Sequence, residues 1–263
     1  IFAIQRRRNS SRTIFSALAL AVIFSVGLGA GWEIYEYLGD RLFDTGFKAI
    51  VGSLVLTVIG VGVGAPIGLF AGTYMAEYGR YEKLTTVIRF INDILLSAPS
   101  IIIGLFIYGS VVVPMHGFSG VAGALALAVI VIPVVVRTTE NMLLLVPQQL
   151  REAATGLGMP RSVVVQKIAY KAARTGLITG VLLAVARVSG ETAPLLFTTL
   201  SNQFWSLDLA REIANLPVTI NNFINSPDPN WKRLAWAGAL TITFAVLALN
   251  IAARAIGSRS ATK

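Results

Sequence analysis

The chain contains no cysteine, which excludes a disulfide framework, a thiolate metal site and a cysteine nucleophile. Charge is almost as scarce: Asp, Glu, Lys and Arg make up 13% of 263 residues, against about a quarter in a soluble domain. The single histidine, His116, has no second ligand nearby in the sequence, so no metal centre is expected on it. There is no Gly-x-x-x-x-Gly-Lys-Ser/Thr loop to cradle nucleotide phosphates. Gly60, Gly62, Gly64 and Gly68 are closely spaced, but they lie inside an apolar run without a lysine, which points to close helix packing. No nucleophile–base set appears either.

Apolar side chains are abundant instead. They account for 55% of the chain, and the mean hydropathy is +0.71, so the reading is an all-α integral membrane protein. A helix needs roughly 20 mostly apolar residues to cross the hydrocarbon. Runs at about 13–31, 50–75, 85–113, 119–137, 174–200 and 233–256 qualify, giving six transmembrane helices in one permease-like domain over 1–263. Their length without two-residue alternation favours helices over a barrel. The run after Arg6, Arg7 and Arg8 has no convincing small-residue cleavage site and is read as a retained helix. Pro114 to Phe118 is all that separates the third and fourth runs, so those two form a tight hairpin.

The net charge of +9 reports topology, not nucleic-acid binding. With the N-terminus inside, most Lys and Arg fall on the inner side; Arg41, Lys48, Arg211, Lys232 and Arg233 fall outside, and Arg187 lies within a span. Cytoplasmic loops carry this excess, so both termini are expected in the cytoplasm. Trp32, Trp205, Trp231 and Trp236 fall at outer ends, where indoles sit at headgroup level. Pro66, Pro99, Pro133 and Pro194 punctuate four spans, either as static packing kinks or as bends around a pathway.

The inner loop at about 138–173 reads as two short helices lying on the inner face. Pro147 opens the first, Gly156 and Gly158 close it, and Pro160 opens the second. Within it, Glu152-Ala153-Ala154, three residues, Gly158, nine residues and Ile168 resemble the EAA loop of ABC-importer permeases. That family's pattern closes with Leu-Pro where this chain has Tyr170 and Lys171. Further stretches resemble the PstA family of phosphate-transport permeases: Asn92 to Leu105, Glu191 to Thr198, Ser201 to Ser206, Asn215 to Thr219 and Leu234 to Gly238. The similarity runs from about residue 50 to 255.

The resemblance implies a type I ABC importer permease in a bacterial inner membrane, with a coupling helix in the inner loop. Glu152, Ala153, Ala154 and Gly158 would meet an ATP-hydrolysing subunit. It further implies two ATP-binding subunits that hold ATP and Mg, a companion permease of the PstC kind and an external phosphate-binding protein. No cofactor is expected on this chain and no ATPase activity of its own.

At about 100° per residue, Arg187 and Glu191 share a helical stripe with the small residues Gly176, Gly180 and Ala184. Such a stripe faces other helices. The charges are either an ion pair locking the fifth helix, in the weaker i,i+4 order, or a phosphate contact through the planar guanidinium. Arg89, Asn92 and Asp93 form a second polar cluster, read as a local Arg89–Asp93 pair or as part of the substrate pathway. The outer loop from Ser201 to Lys232, with Trp205, Asp208, Arg211 and Glu212, either meets the binding protein or is a solvated interfacial segment. Alternatives to a phosphate permease are one for phosphonate or molybdate, or a stand-alone secondary transporter, although no internal repeat supports the latter.

Overall fold

The structure is a computed structural model that describes residues 46–80, 82–202, 206 and 208–260. The expected first span at 13–31 lies outside the described residues. Among those described, helices and connecting turns account for the whole chain, with no strand.

Four helices are long and apolar enough to cross a membrane: α1 (Gly46–Tyr78), α4 (Gly120–Leu144), α6 (Arg161–Val188) and α9 (Pro229–Ser260, apolar through Ala252). The expected third span is instead two helices, α2 (Lys83–Ser97) and α3 (Ser100–Met115), bent by 104°. Pro99 is the cause. Its ring disfavours helical geometry at the preceding residue, and Ala98 is accordingly extended, with φ −66° and ψ 132°. Pro133, in contrast, lies inside the unbroken α4. After α3, His116 adopts a left-handed φ of 54° and closes the tight turn that the sequence implies.

α4 is the central helix. It is apolar on nearly every side, and Ala126, Leu127, Val131 and Val135 are at most 1% exposed, as expected of a helix without a polar face. Lipid tails are as apolar as leucine, so close approach between helices must come from small residues. α1 supplies a ladder of them. A Cβ added at Gly60, Gly64, Gly68 or Gly72 would lie 2.7 to 2.8 Å from α4, against Leu127, Ala128, Val135 and Thr139 respectively. Gly62, on another face, has nothing within 4 Å. On the other side of α4, Gly176 and Gly180 of α6 rest on Met142 and Thr138.

Two expectations need correction at α6. The second arm of the inner hairpin is not a separate surface helix: Arg161–Val188 runs without interruption through a π turn at Val165–Ala169 into the span. The span also ends earlier than residue 200. α6 stops at Val188, Gly190 follows in a turn, and Pro194 stands in the first turn of the short α7 (Ala193–Thr198). Proline is well suited to that position, where its missing N–H costs no intrahelical bond.

The outer loop is tucked in rather than solvated along its length. Ile213 and Asn215 are fully buried. The orphan N–H groups at the start of α4 are satisfied from this loop: Gly120 donates to the Arg211 carbonyl at 2.9 Å and Val121 to that of Leu209 at 3.0 Å. Asn215 caps α8 (Leu216–Ile224) through Val218 N at 3.1 Å, and Gly52 of α1 lies against the Ala214 carbonyl. Asp208 and Arg211 remain on the surface, 3.6 Å apart; Trp205 lies outside the described residues.

Candidate functional site

The polar cluster on α2 is assembled across helices. Arg89 Nη2 lies 2.5 Å from Glu140 Oε1 on α4, and its Nε donates to the same oxygen at 2.7 Å. Asp93 reaches Arg137 of α4 at 3.8 Å. Asn92 is buried and donates to the Pro133 carbonyl at 3.3 Å. The local Arg89–Asp93 pair expected from their spacing is therefore not formed; both residues bond to α4. Glu140 is 2% exposed, and a buried carboxylate needs a partner more urgently than the half-exposed Asp93 does. Glu140 and Arg137, the partners on α4, are not apparent from the spacing along α2.

Arg187 and Glu191 do not share a helical face. Arg187 is in the last turn of α6, and Glu191 follows the helix end, its N–H donating to the Val188 carbonyl at 3.2 Å. The wheel that aligned them fails because the helix ends between them. The small stripe does pack on α4, with Gly180 and Ala184 buried, while Arg187 itself is exposed. Neither the Arg187 nor the Glu191 side chain has a hydrogen-bond or ion-pair partner among the described residues. A cation at a helix C-terminus is favoured by the dipole, which accounts for a lone arginine there. Beside it, α7 packs closely on α3: a Cβ at Gly104 would meet Pro194 Cα at 2.7 Å. No hydrogen bond or ion pair joins the Arg187 or Glu191 side chain to the Arg89 cluster among the described residues.

The first arm and the turn of the inner hairpin are formed as their punctuation implies. α5 (Gln148–Gly156) follows Pro147, and Gly158 takes φ +80° with nothing within 4 Å of an added Cβ. That conformation suits glycine because a side chain there is strained. Glu152 and Ala153 are exposed, as is Leu157 at 79%, whereas Ala154 is buried. The motif thus presents Glu152 and Ala153 outward and uses Ala154 for its own packing. Unforeseen in the sequence was Arg151, which bonds Glu77 of α1 at 2.6 Å. Among the described residues, no group of three or more His, Cys, Asp or Glu side chains could hold a metal ion.

The profile of the family described as binding-protein-dependent transport system inner membrane component matches residues 64–261. The chain belongs to that family. It is 60% identical over 79% of its length to the phosphate transport system permease protein PstA of Pasteurella multocida, covering 74% of that protein. It is 60% identical to PstA of Yersinia pestis over 80% of its length and 71% of that protein. To PstA of Xylella fastidiosa strain 9a5c it is 50% identical, over 96% of this chain and 94% of that one. Among solved structures, the inward-facing MetNI methionine ABC transporter superposes with a TM-score of 0.64 over 85% of this chain and 98% of that one. At 19% identity it shows that the helical permease fold is shared.

Proposed function

We propose that this chain is a permease subunit of an ATP-driven inorganic phosphate importer, forming half of the translocation pathway. The observation that carries the reading is identity of 50 to 60% to phosphate transport permeases over most of the chain. The hairpin supports it, with Glu152 and Ala153 exposed and Gly158 in a left-handed turn, because a docking element must present its contact residues outward. ATP and Mg then belong to two ATP-binding subunits, and a companion permease and an external phosphate-binding protein complete the importer in a bacterial inner membrane. Six spans with both termini in the cytoplasm agree with the Lys and Arg bias.

In this reading Arg187 is the substrate contact. Its guanidinium is exposed and has no partner within the described chain, so its planar fork is available to phosphate oxygens. Glu191, close in sequence, weakens the local positive field and keeps the anion releasable. Arg89, Asn92 and Asp93 position the middle of α2 along the pathway.

The test is reconstitution with the companion permease, ATP-binding subunits and phosphate-binding protein in liposomes. ATP-dependent uptake of labelled phosphate is expected, with molybdate and phosphonates competing poorly. Uptake of either of those in preference to phosphate would reject the assignment.

A further inference from the structure

Both arms of the inner hairpin hold on to one residue of α1. Glu77 lies in the π turn Tyr74–Tyr78 that ends α1 and is 6% exposed. Arg151 of α5 sets Nη2 2.6 Å from Glu77 Oε1, with Nε 3.2 Å from each carboxylate oxygen. The same guanidinium donates to the carbonyls of Val146 at 2.5 Å and Leu143 at 2.7 Å, at the point where α4 ends. Arg161, the first residue of α6, donates to the Glu77 backbone carbonyl and lies 5.1 Å over the Tyr78 ring. One residue of α1 therefore gathers α5 through its carboxylate and α6 through its backbone carbonyl, and the Arg151 guanidinium adds α4.

The junction also joins two wide turns. The π turn of α6, Val165–Ala169, faces that of α1: Ala76 and Ala169 belong to one apolar cluster with Leu143 and Val146. Thr73 Oγ1 and Tyr170 OH are 2.7 Å apart beside it. A π turn holds an extra residue against the α-helical winding and is frequently found at functional sites. From Leu143 the path continues along α4 by one turn to Glu140, which holds Arg89 of α2.

The geometry points to a positioning role for Glu77 and Arg151: they form a strut that makes α5 and the inner ends of α1 and α4 move as one body when a partner subunit displaces the hairpin. This inference rests on the permease reading above and adds the internal linkage to it. A buried ion pair contributes little net stability compared with an apolar replacement, so stability alone is a poor reason for this one. What the arginine supplies is rigidity. Its five donors lie in a fixed plane, engaging a carboxylate and two carbonyls at once, which a lysine cannot reproduce. Glu152, next in the chain, points outward and is free to dock while Arg151 points inward.

The experiment uses the complete reconstituted transporter carrying Glu77→Gln or, as the milder change, Arg151→Lys. We expect assembly and binding-protein-stimulated ATP hydrolysis close to the parent. Phosphate moved per ATP should fall about tenfold, within the range of coupling between linked sites. If transport per assembled complex is unchanged and only complex yield drops, the pair is merely structural and the strut is rejected. If hydrolysis and transport fall together at a constant ratio, the pair serves docking, and the strut is again rejected. A second readout is independent of the substrate. Spin labels at Gln149→Cys on α5 and Val63→Cys on α1 should keep one distance with and without ATP and vanadate in the parent, and change distance in Glu77→Gln. A nucleotide-dependent change already in the parent would overturn the strut. A parent complex that hydrolyses ATP but moves no phosphate would overturn the substrate assignment, leaving the label distance to decide the strut.

Discussion

Arg89 of α2 bonds Glu140 of α4 at 2.5 Å, although Asp93 lies only one turn away on its own helix. Asp93 meets Arg137 instead. Two helices that each carry one cation and one anion have exchanged partners, so each bond that could have been local is now tertiary. Together with Asn92 on the Pro133 carbonyl, these contacts fix the middle of α2 on α4, ahead of the break at Pro99.

The two bridges differ in consequence. Glu140→Gln weakens the attraction at a fully buried site, and we expect a loss of roughly 1–3 kcal/mol, moderated because Arg89 is one-third exposed to solvent. Asp93→Asn removes a half-exposed pair at 3.8 Å and should cost less than about 1 kcal/mol. Thermal unfolding of the two purified variants in one detergent checks the order; equal losses would contradict it.

Much of this fold could be read along the chain because lipid demands length and apolarity, which are local properties. The runs around α1, α4 and α9 show it, and so does the Gly158 turn. What the sequence concealed depends on where a helix stops or which neighbour is present. The spacing of Arg187 and Glu191 implied a shared face, but the helix ends at Val188. Pro99 and Pro133 look alike in sequence, yet one breaks a span and the other sits inside a continuous helix. Glu77, in Tyr-Met-Ala-Glu-Tyr at the end of an apolar run, gave no sign that it would receive Arg151 from 74 residues away.

The glycine ladder gives a prediction with an internal control. Gly64→Ala and Gly68→Ala place a methyl within 3 Å of α4 atoms, and overpacking of this kind costs about 1–3 kcal/mol. Gly62→Ala, with open space around it, should be neutral or slightly stabilising, since alanine is the better helix former. Unfolding midpoints of the three variants are the measurement, and a loss at Gly62 as large as at Gly64 would refute close packing as the ladder's purpose.

At the hairpin, Gly158→Val forces a β-branched residue into φ +80°, a strain of about 1–2 kcal/mol, whereas Gly158→Asn should be tolerated. Glu152→Lys leaves the fold unchanged because the side chain is exposed, but reverses the charge offered to an ATP-binding subunit. Gly158→Val and Glu152→Lys should both impair assembly or stimulated ATP hydrolysis while the chain still inserts. Normal transport by both would show that this loop is not the coupling element.

Orientation can be tested without background because the chain has no cysteine. Cysteines replacing His116 and Asn225 should react with an impermeant reagent from outside intact cells, and one replacing the exposed Ser162 should not. The opposite labelling pattern would invert the topology.

Arg187 gives the sharpest test of the pathway. Its side chain is exposed and has no partner within the described chain, so changing it should leave the fold of this subunit intact. Arg187→Lys keeps the charge but loses the fork that grips two phosphate oxygens; transport should fall while assembly stays normal. Arg187→Gln should be lower still. Glu191→Gln alone should not destabilise the chain, because no ion pair holds the two residues together here. The double change, Arg187→Gln with Glu191→Gln, separates the two remaining roles. If the residues serve as a lock formed in another state of the transporter, removing both charges relieves the uncompensated one and uptake should largely return. If Arg187 meets the substrate, the double variant should assemble and hydrolyse ATP yet still fail to import phosphate. Uptake near the parent rate in that variant would rule out Arg187 as the phosphate contact.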